Sequence, residues 1–154
     1  ALDVGRALLR ENAGATLLAN LTRRLAEQRD PTVTRAAVLA QRALDSLGVT
    51  ITGWSRLESA QRDVRMRRLT RELAYGVTAA LLVEDAGIQA SREGSYRCLA
   101  IAARYLRRYI YPSRRGLALE DSYTPLEAFD ALVDWTPEVS AEVAEPLLSS
   151  LERE

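Results

Sequence analysis

The side chains that could do chemistry in this chain are carboxylates, hydroxyls, arginines and one thiol, since the sequence contains no histidine and no lysine. Ser-His-Asp catalysis, Cys-His catalysis and histidine-rich zinc sites are therefore excluded. The acidic groups that come closest together are Glu84-Asp85, Glu120-Asp121 and the series Glu138, Glu142 and Glu145. None has the Glu-x-x-His spacing of a di-iron bundle. We interpret them as solvated helix faces and expect no catalytic, cofactor-binding or metal-ligating residue.

The stretch from Arg92 to Arg115 is rich in side chains that could bind or react. It contains seven arginines, four tyrosines and the only cysteine of the chain. Helical spacing of i, i+3, i+4, i+7 and i+11 places one apolar seam on Cys98, Ile101, Ala102, Tyr105 and Tyr109. We therefore expect a helix that is capped by Ser95 and ended by Pro112. On that seam the cysteine is a small buried hydrophobe rather than a reactive thiol.

Helix signals also precede this stretch. Asp30-Pro31 is an N-cap followed by proline at the first helical position. An apolar seam follows at Ala37, Ala40, Leu44, Leu47, Ile51 and Trp54. Gly48 and Gly53 weaken its second half, which predicts either a break or a helix held by tertiary packing. A helix over Ala15–Glu27, with Leu18, Leu21 and Leu25 inward, is expected before Asp30.

A longer apolar stripe runs along Met66, Leu69, Leu73, Val77, Ala80, Leu81 and Ile88, and Gly94 is expected to end this helix. After residue 116, Thr124-Pro125 and Thr136-Pro137 predict two short helices, with Pro146 interrupting the second or beginning a last turn. The predicted fold is all-α: an antiparallel bundle of about four main helices over residues 10–112, with an acidic tail of short helices over residues 117–154, in one domain. The predicted core residues are Leu44, Leu47, Leu69, Leu73, Val77, Leu81, Ile101 and Tyr105.

Charge is divided along the chain although the formal net charge is zero. Residues 62–115 contain twelve arginines, whereas residues 117–154 contain ten acidic residues and one arginine. Either the tail folds back along the basic helices, or the arginines contact another protein, a phosphate-bearing ligand or an anionic membrane. We predict an outward docking surface formed by Arg65, Arg68, Arg104, Arg107 and Arg108.

Three segments carry a resemblance to a known family. The segments "AVLAQRALDSL" (Ala37–Leu47), "RRLTRELAYGVTAALLVEDAG" (Arg67–Gly87) and "YRCLAIAARYLRRYI" (Tyr96–Ile110) follow one another in the order and helix character of the extra C-terminal helical domain of acyl-CoA dehydrogenases of the very-long-chain type. The chain resembles that domain from about Arg10 to Ile110. The acidic tail after Gly116 has no counterpart in it.

The resemblance implies a non-catalytic domain of a longer flavoprotein chain. The parent would be an FAD-dependent acyl-CoA dehydrogenase, whose separate core holds the flavin, the acyl-CoA and a glutamate base; none of these is expected in this chain. The expected partners are that flavin-containing core, a second copy in a homo-oligomer and, as in some relatives, the membrane surface.

Two other functions remain open. The chain could be a stand-alone bundle that binds a small ligand or regulates another protein, with Tyr75, Glu84 and Asp85 as its polar constellation. Nucleic-acid binding is the least favoured, because no zinc finger, helix-turn-helix or aromatic RNA-binding motif is present. The sequence has no apolar run of about 18 residues and no signal-peptide layout, so we expect a cytoplasmic protein.

Overall fold

The computed structural model describes residues 2–10, 12–111 and 138–152. The helices in these ranges are α1 (Leu2–Arg10), α2 (Ala13–Ala26), α3 (Pro31–Ser55), α4 (Ser59–Glu93), α5 (Arg97–Tyr105) with a π-helical turn (Leu106–Ile110) directly after it, and α6 (Ala141–Glu152). The described ranges contain no strand, and the predicted all-α class is confirmed. The helix predicted at Thr124-Pro125, like most of the acidic tail, lies outside the described residues.

Helix α3 is the centre of the bundle and packs against α2, α4, α5 and α6. Three to four residues connect α2 to α3 and α3 to α4, so consecutive helices run antiparallel. One buried cluster lies between α2, α3, α4, α5 and α6. A second, built on Leu47, Trp54, Met66, Leu69 and Leu73, fills the other end, where α1 contributes Val4 and Leu8.

The start of α3 is as the sequence predicts. One carboxylate oxygen of Asp30 accepts hydrogen bonds from the backbone N–H groups of Thr32 and Val33, and Pro31 occupies the first turn. The sequence left open whether the second half of α3 breaks or stays helical. In the structure α3 has no break and continues to Ser55. Leu47 and Trp54 are buried, and the indole N–H of Trp54 donates to the carbonyl oxygen of Arg62 at 3.2 Å. Tertiary packing therefore holds this stretch helical despite its glycines.

The apolar stripe of α4 is predicted correctly only in part. Met66, Leu69, Leu73 and Ala80 are buried, as expected, but Leu81 is 37% exposed and Ile88 is 43% exposed. A step of four residues turns an α-helix by about 400°, so each step from Leu69 through Leu73 and Val77 to Leu81 moves about 40° further around the helix. After Ala80, the buried stripe continues through Val83 and Ala86 instead of Leu81 and Ile88. Gly94, with φ 66°, ends the helix as predicted.

The predicted seam of α5 is wrong by one residue. Leu99, Ala102, Ala103 and Leu106 are buried, whereas Ile101 is 40% exposed. Cys98, Tyr105 and Tyr109 lie beside the buried stripe and are partly exposed. Residues 98–103 are all apolar. Two adjacent seams are therefore compatible with the sequence, and packing selects the one that buries both leucines.

Ser95 is not the cap of α5. Its side chain is fully buried, and its hydroxyl accepts a 3.4 Å hydrogen bond from the backbone N–H of Val139. The backbone N–H of Tyr96 in turn donates to the carbonyl oxygen of Val139 at 2.8 Å. These two bonds join the connection between α4 and α5 to the residues that lead into α6.

Helix α6 begins later than Thr136-Pro137 predicts, because residues 138–140 are not helical. Pro146 lies within the helix and does not interrupt it. Ala144, Leu148 and Leu151 are buried in the same cluster as α3 and α5. The last helix of the acidic tail is therefore a structural part of the bundle.

Candidate docking surface

Three tyrosines from two helices form a stack at the contact between α4 and the π-helical turn. The ring centroid of Tyr109 lies 4.8 Å from that of Tyr75, and the two ring planes make an angle of 35°. The centroid of Tyr105 lies 4.7 Å from that of Tyr109, with an angle of 45° between the planes. Each aromatic pair at such distances contributes about 0.5–1.5 kcal/mol beyond its area burial. Tyr109 nevertheless remains 44% exposed. The stack therefore holds α4 against α5 and presents part of its surface to solvent.

Arginines continue this surface along α4. Arg68, Arg71 and Tyr75 are spaced i, i+3 and i+7, so they share one helix face. Arg104 and Tyr105 are followed four residues later by Arg108 and Tyr109, which repeats the same pair of side chains one turn on. We use the name arginine–tyrosine face for Arg68, Arg71, Tyr75, Tyr105, Arg108 and Tyr109.

Most arginine charge in the first half of α4 is not neutralised within the described chain. Arg68 Nε donates to Glu72 Oε1 at 2.7 Å, and this hydrogen bond raises the pKa of the guanidinium further. Arg65, Arg67 and Arg71 are exposed and make no ion pair among the residues that the structure describes. Exposed guanidinium groups in this arrangement can bind carboxylates or phosphates in bidentate fashion.

The five predicted docking residues lie on two helices that pack against each other. Arg65 and Arg68 are exposed on α4, Arg104 and Arg108 are exposed on the other helix, and Arg107 is half-buried. Arg104 and Arg107 each already make an interaction with another group of the chain. Their joint role as one docking surface stays a prediction.

Sequence reasoning missed the tyrosines of this face. It assigned Tyr105 and Tyr109 to the buried seam, although a tyrosine can pack its ring and still present its hydroxyl to water. It also left out Arg71 as a docking residue. The four-residue repeat of an arginine beside a tyrosine was the signal that could have found the face.

The polar constellation considered for a ligand-binding bundle does not assemble. Tyr75 stacks on Tyr109 of the π-helical turn, whereas Glu84 forms a two-point ion pair with Arg24 of α2. One of its contacts joins Arg24 Nε to Glu84 Oε1 at 2.8 Å. Asp85 is exposed. These groups contact different helices, and the arrangement supplies no acid/base pair.

The thiol of Cys98 is half-buried rather than fully buried. Burial raises its pKa, and the carboxylates of Asp85 and Glu93 act in the same direction against the opposing charge of Arg97. A thiol with a raised pKa is protonated at neutral pH and is a weak nucleophile. Its surroundings therefore favour a packing role.

Within the described ranges, no three Cys, Asp or Glu side chains come together as a group that could hold a metal ion. None of the helices described is both long enough and apolar enough to cross a bilayer.

Comparisons with known proteins do not assign the chain to a family. It matches no protein-family model, no curated protein and no solved structure. The resemblance to the acyl-CoA dehydrogenase domain therefore stays a prediction.

Proposed function

We propose that this chain is a non-catalytic helical module that docks through its arginine–tyrosine face onto an acidic protein surface. The observation that carries the proposal is the position of two exposed arginines, Arg71 and Arg108, beside a partly exposed tyrosine stack; neither makes an ion pair among the residues that the structure describes. Arginine and tyrosine are enriched in protein–protein interfaces and among the residues that dominate their affinity. Acidic groups on the partner would complete the ion pairs that the described chain leaves open.

The same face is less suited to nucleic acid. Single-stranded nucleic acids bind to aromatic rings that offer an open face for stacking. Tyr109 is the most exposed ring of the stack, but it already contacts both Tyr75 and Tyr105. Asp63 and Glu72 also lie among the arginines of α4 and would repel a phosphate backbone. A protein surface with mixed charges accommodates this pattern better.

The family resemblance suggests which protein the partner would be. In this proposal the chain belongs to a longer, cytoplasmic flavoprotein of the acyl-CoA dehydrogenase type, and the acidic surface belongs to its FAD-containing core. The module would support core docking and oligomerisation and would contribute no catalytic residue. The all-helical bundle and the order of its helices support this assignment.

The first experiment is the intact mass and the flavin absorbance of the native polypeptide purified from its source. We expect a yellow protein much heavier than the 17.1 kDa of this chain. A colourless polypeptide of this mass would overturn the flavoprotein assignment.

The docking surface is tested separately by charge reversal in the native polypeptide. Arg71→Glu with Arg108→Glu, both in the face and both exposed, should release the module, which is observed as faster amide hydrogen exchange over residues 62–75. The matched control is Arg29→Glu with Arg92→Glu, which reverses two exposed charges outside the face and should leave exchange there unchanged. Equal exchange in both double variants would contradict the assigned surface. Binding of a single-stranded DNA or RNA probe that the double variant in the face loses and the control variant keeps would favour nucleic acid as the partner instead.

A further inference from the structure

A groove of about 590 Å³ lies between α2 and the second half of α3 and shares no lining residue with the arginine–tyrosine face. Leu18 and Leu44 contribute apolar surface to it, and Thr22 lines it from α2. Val49 also lines the groove and is 75% exposed, although it is a β-branched apolar residue. An apolar groove next to an exposed apolar side chain is a surface that association can bury.

The residues of α3 along this groove have a symmetric order. Asp45, Gly48, Val49, Thr52, Gly53 and Arg56 all line it. Measured from the midpoint between Thr50 and Ile51, Asp45 is as far away as Arg56, Gly48 as Gly53, and Val49 as Thr52. The first and last members carry opposite charges. This order makes the surface complementary to an antiparallel copy of itself.

Both terminal charges are open to a partner. The guanidinium of Arg56 is exposed and makes no ion pair among the described residues. Oδ1 of Asp45 accepts a 2.7 Å hydrogen bond from the side-chain amide of Gln41, which leaves the second carboxylate oxygen for another donor. In an antiparallel pair, Asp45 of each copy faces Arg56 of the other copy, so two ion pairs form at once.

The two glycines have no packing reason within the part of the chain that the structure describes. Among those residues, a Cβ atom at Gly53 would meet nothing within 4 Å, and one at Gly48 would meet only Leu18 Cδ1 at an ordinary 3.5 Å. Glycine inside a helix is nevertheless less stable than alanine. What glycine provides at an exposed helix position is a close approach of another backbone. The symmetric pair Gly48 and Gly53 would provide it on both sides of the axis.

We infer that the second half of α3 and the adjoining groove form a self-association surface, at which two copies of this chain pair antiparallel about a two-fold axis. In this dimer, Val49 of each copy is covered by the partner, and the glycines allow the two α3 helices to approach closely. The interface is isologous, as in most homodimers. This inference deepens the oligomerisation part of the proposed function and does not depend on the arginine–tyrosine face.

A second copy fits better than an unrelated occupant. A helix from another protein or a small apolar ligand would need no match between the two ends of the groove. Opposite charges at equal distances from one midpoint pair with each other when the surface meets an antiparallel copy of itself.

Sedimentation velocity of the 154-residue chain over a concentration series tests the inference. The wild-type chain should form dimers as its concentration rises. Asp45→Arg and Arg56→Asp, each alone, convert both ion pairs into repulsions and should weaken association at least about tenfold. The double variant restores both pairs and should dimerise again. An equimolar mixture of the two single variants should also associate, as a heterodimer, because each copy then carries two like charges opposite to those of its partner.

Both positions are exposed, so circular dichroism should show folded protein for every variant. Arg29→Asp, an exposed reversal far from the groove, is the control and should leave the dimer unchanged. A wild-type chain that stays monomeric at every concentration would overturn the inference, and so would a mixture that fails to associate. Either result would leave the flavin and mass measurement unaffected, so this inference and the proposed function fail separately.

Discussion

The phenolic hydroxyl of Tyr96 donates a 2.7 Å hydrogen bond to Oδ2 of Asp30, across 66 residues of sequence. The other carboxylate oxygen, Oδ1, accepts from the backbone N–H groups of Thr32 and Val33 at 2.9 and 3.0 Å. One carboxylate thus begins α3 and also fixes the connection between α4 and α5. Because the preceding residue, Ser95, accepts a hydrogen bond from the backbone N–H of Val139, this connection also positions the residues before α6.

Removal of this carboxylate should therefore cost more than the loss of a helix cap. We expect Asp30→Ala to lower the free energy of unfolding by about 1–3 kcal/mol, and Tyr96→Phe by about 0.5–1.5 kcal/mol. Urea denaturation of both single variants and of the double variant measures the coupling between the two side chains. If Tyr96→Phe costs as much in the Asp30→Ala background as in the wild type, the two groups act independently and the proposed link is wrong.

The two tyrosines that bond to other helices predict a loss of stability at alkaline pH. The hydrogen bond to Asp30, with burial and the Asp30 charge, raises the pKa of Tyr96 above its ordinary value of about 10. Burial raises the pKa of Tyr111, against the opposing charge of Arg42, and its hydroxyl donates to the carbonyl oxygen of Leu39 at 2.7 Å. The folded state holds both protons more tightly than the unfolded chain does. This contribution is fully present below the unfolded pKa and is lost as pH rises through the folded values.

The measurement is the free energy of unfolding in urea between about pH 8 and about pH 12. We expect it to fall above about pH 10 in the wild type, and to fall less steeply in the double variant Tyr96→Phe and Tyr111→Phe. An identical pH dependence in the two proteins would show that other groups cause the alkaline loss.

The corrected seam of α5 gives a direct test of core packing. Leu99 is fully buried, so Leu99→Ala should lower the free energy of unfolding by about 2–5 kcal/mol. Ile101 lies two residues away and is 40% exposed, so Ile101→Ala should cost less than about 1 kcal/mol. Thermal and urea denaturation distinguish the two variants. A larger loss for Ile101→Ala would restore the seam that the sequence alone suggested.

The sequence predicts a helix seam well where large apolar residues are separated by polar ones. In α3, the leucines at 44 and 47 and Trp54 alternate with polar or small residues, and all three are buried as predicted. In α5, six consecutive apolar residues remove this contrast, and only contacts with α3, α4 and α6 decide which face turns inward. The left-handed Gly94 was predictable because few other residues adopt a positive φ cheaply.

The candidate site was predictable only in part, for a related reason. The exposure of Arg65 and Arg68 follows from the apolar stripe of α4, which turns them outward. The tyrosine stack depends on the register between α4 and α5, which brings Tyr75 to Tyr109, and no local pattern encodes that register. The symmetric order on α3 is visible in the sequence, but it has meaning only because α3 continues unbroken through Gly48 and Gly53.

The ion pair between Arg24 and Glu84 should stabilise the contact between α2 and α4. Their side chains are 35% and 19% exposed, less than those of Arg23 and Glu27, at 61% and 57%, which form an ion pair within α2. A double-mutant cycle with alanine at Arg24 and Glu84 should give a coupling of about 1 kcal/mol, and one at Arg23 and Glu27 at most about 0.5 kcal/mol. Equal couplings would show that the partial burial of the interhelical pair has no energetic consequence.

Gly48→Ala should separate the stability of the single chain from its self-association. Alanine favours a helix interior by about 0.5–1 kcal/mol over glycine, and its Cβ would make only an ordinary contact with Leu18 Cδ1. We therefore expect a higher free energy of unfolding, measured in urea at concentrations where the chain is monomeric. Sedimentation velocity of the same variant should show weaker dimerisation, because the added methyl groups keep the two α3 helices apart. Stability and association thus change in opposite directions. A variant that gains stability and dimerises as tightly as the wild type would show that close backbone approach at Gly48 is not what the glycine provides.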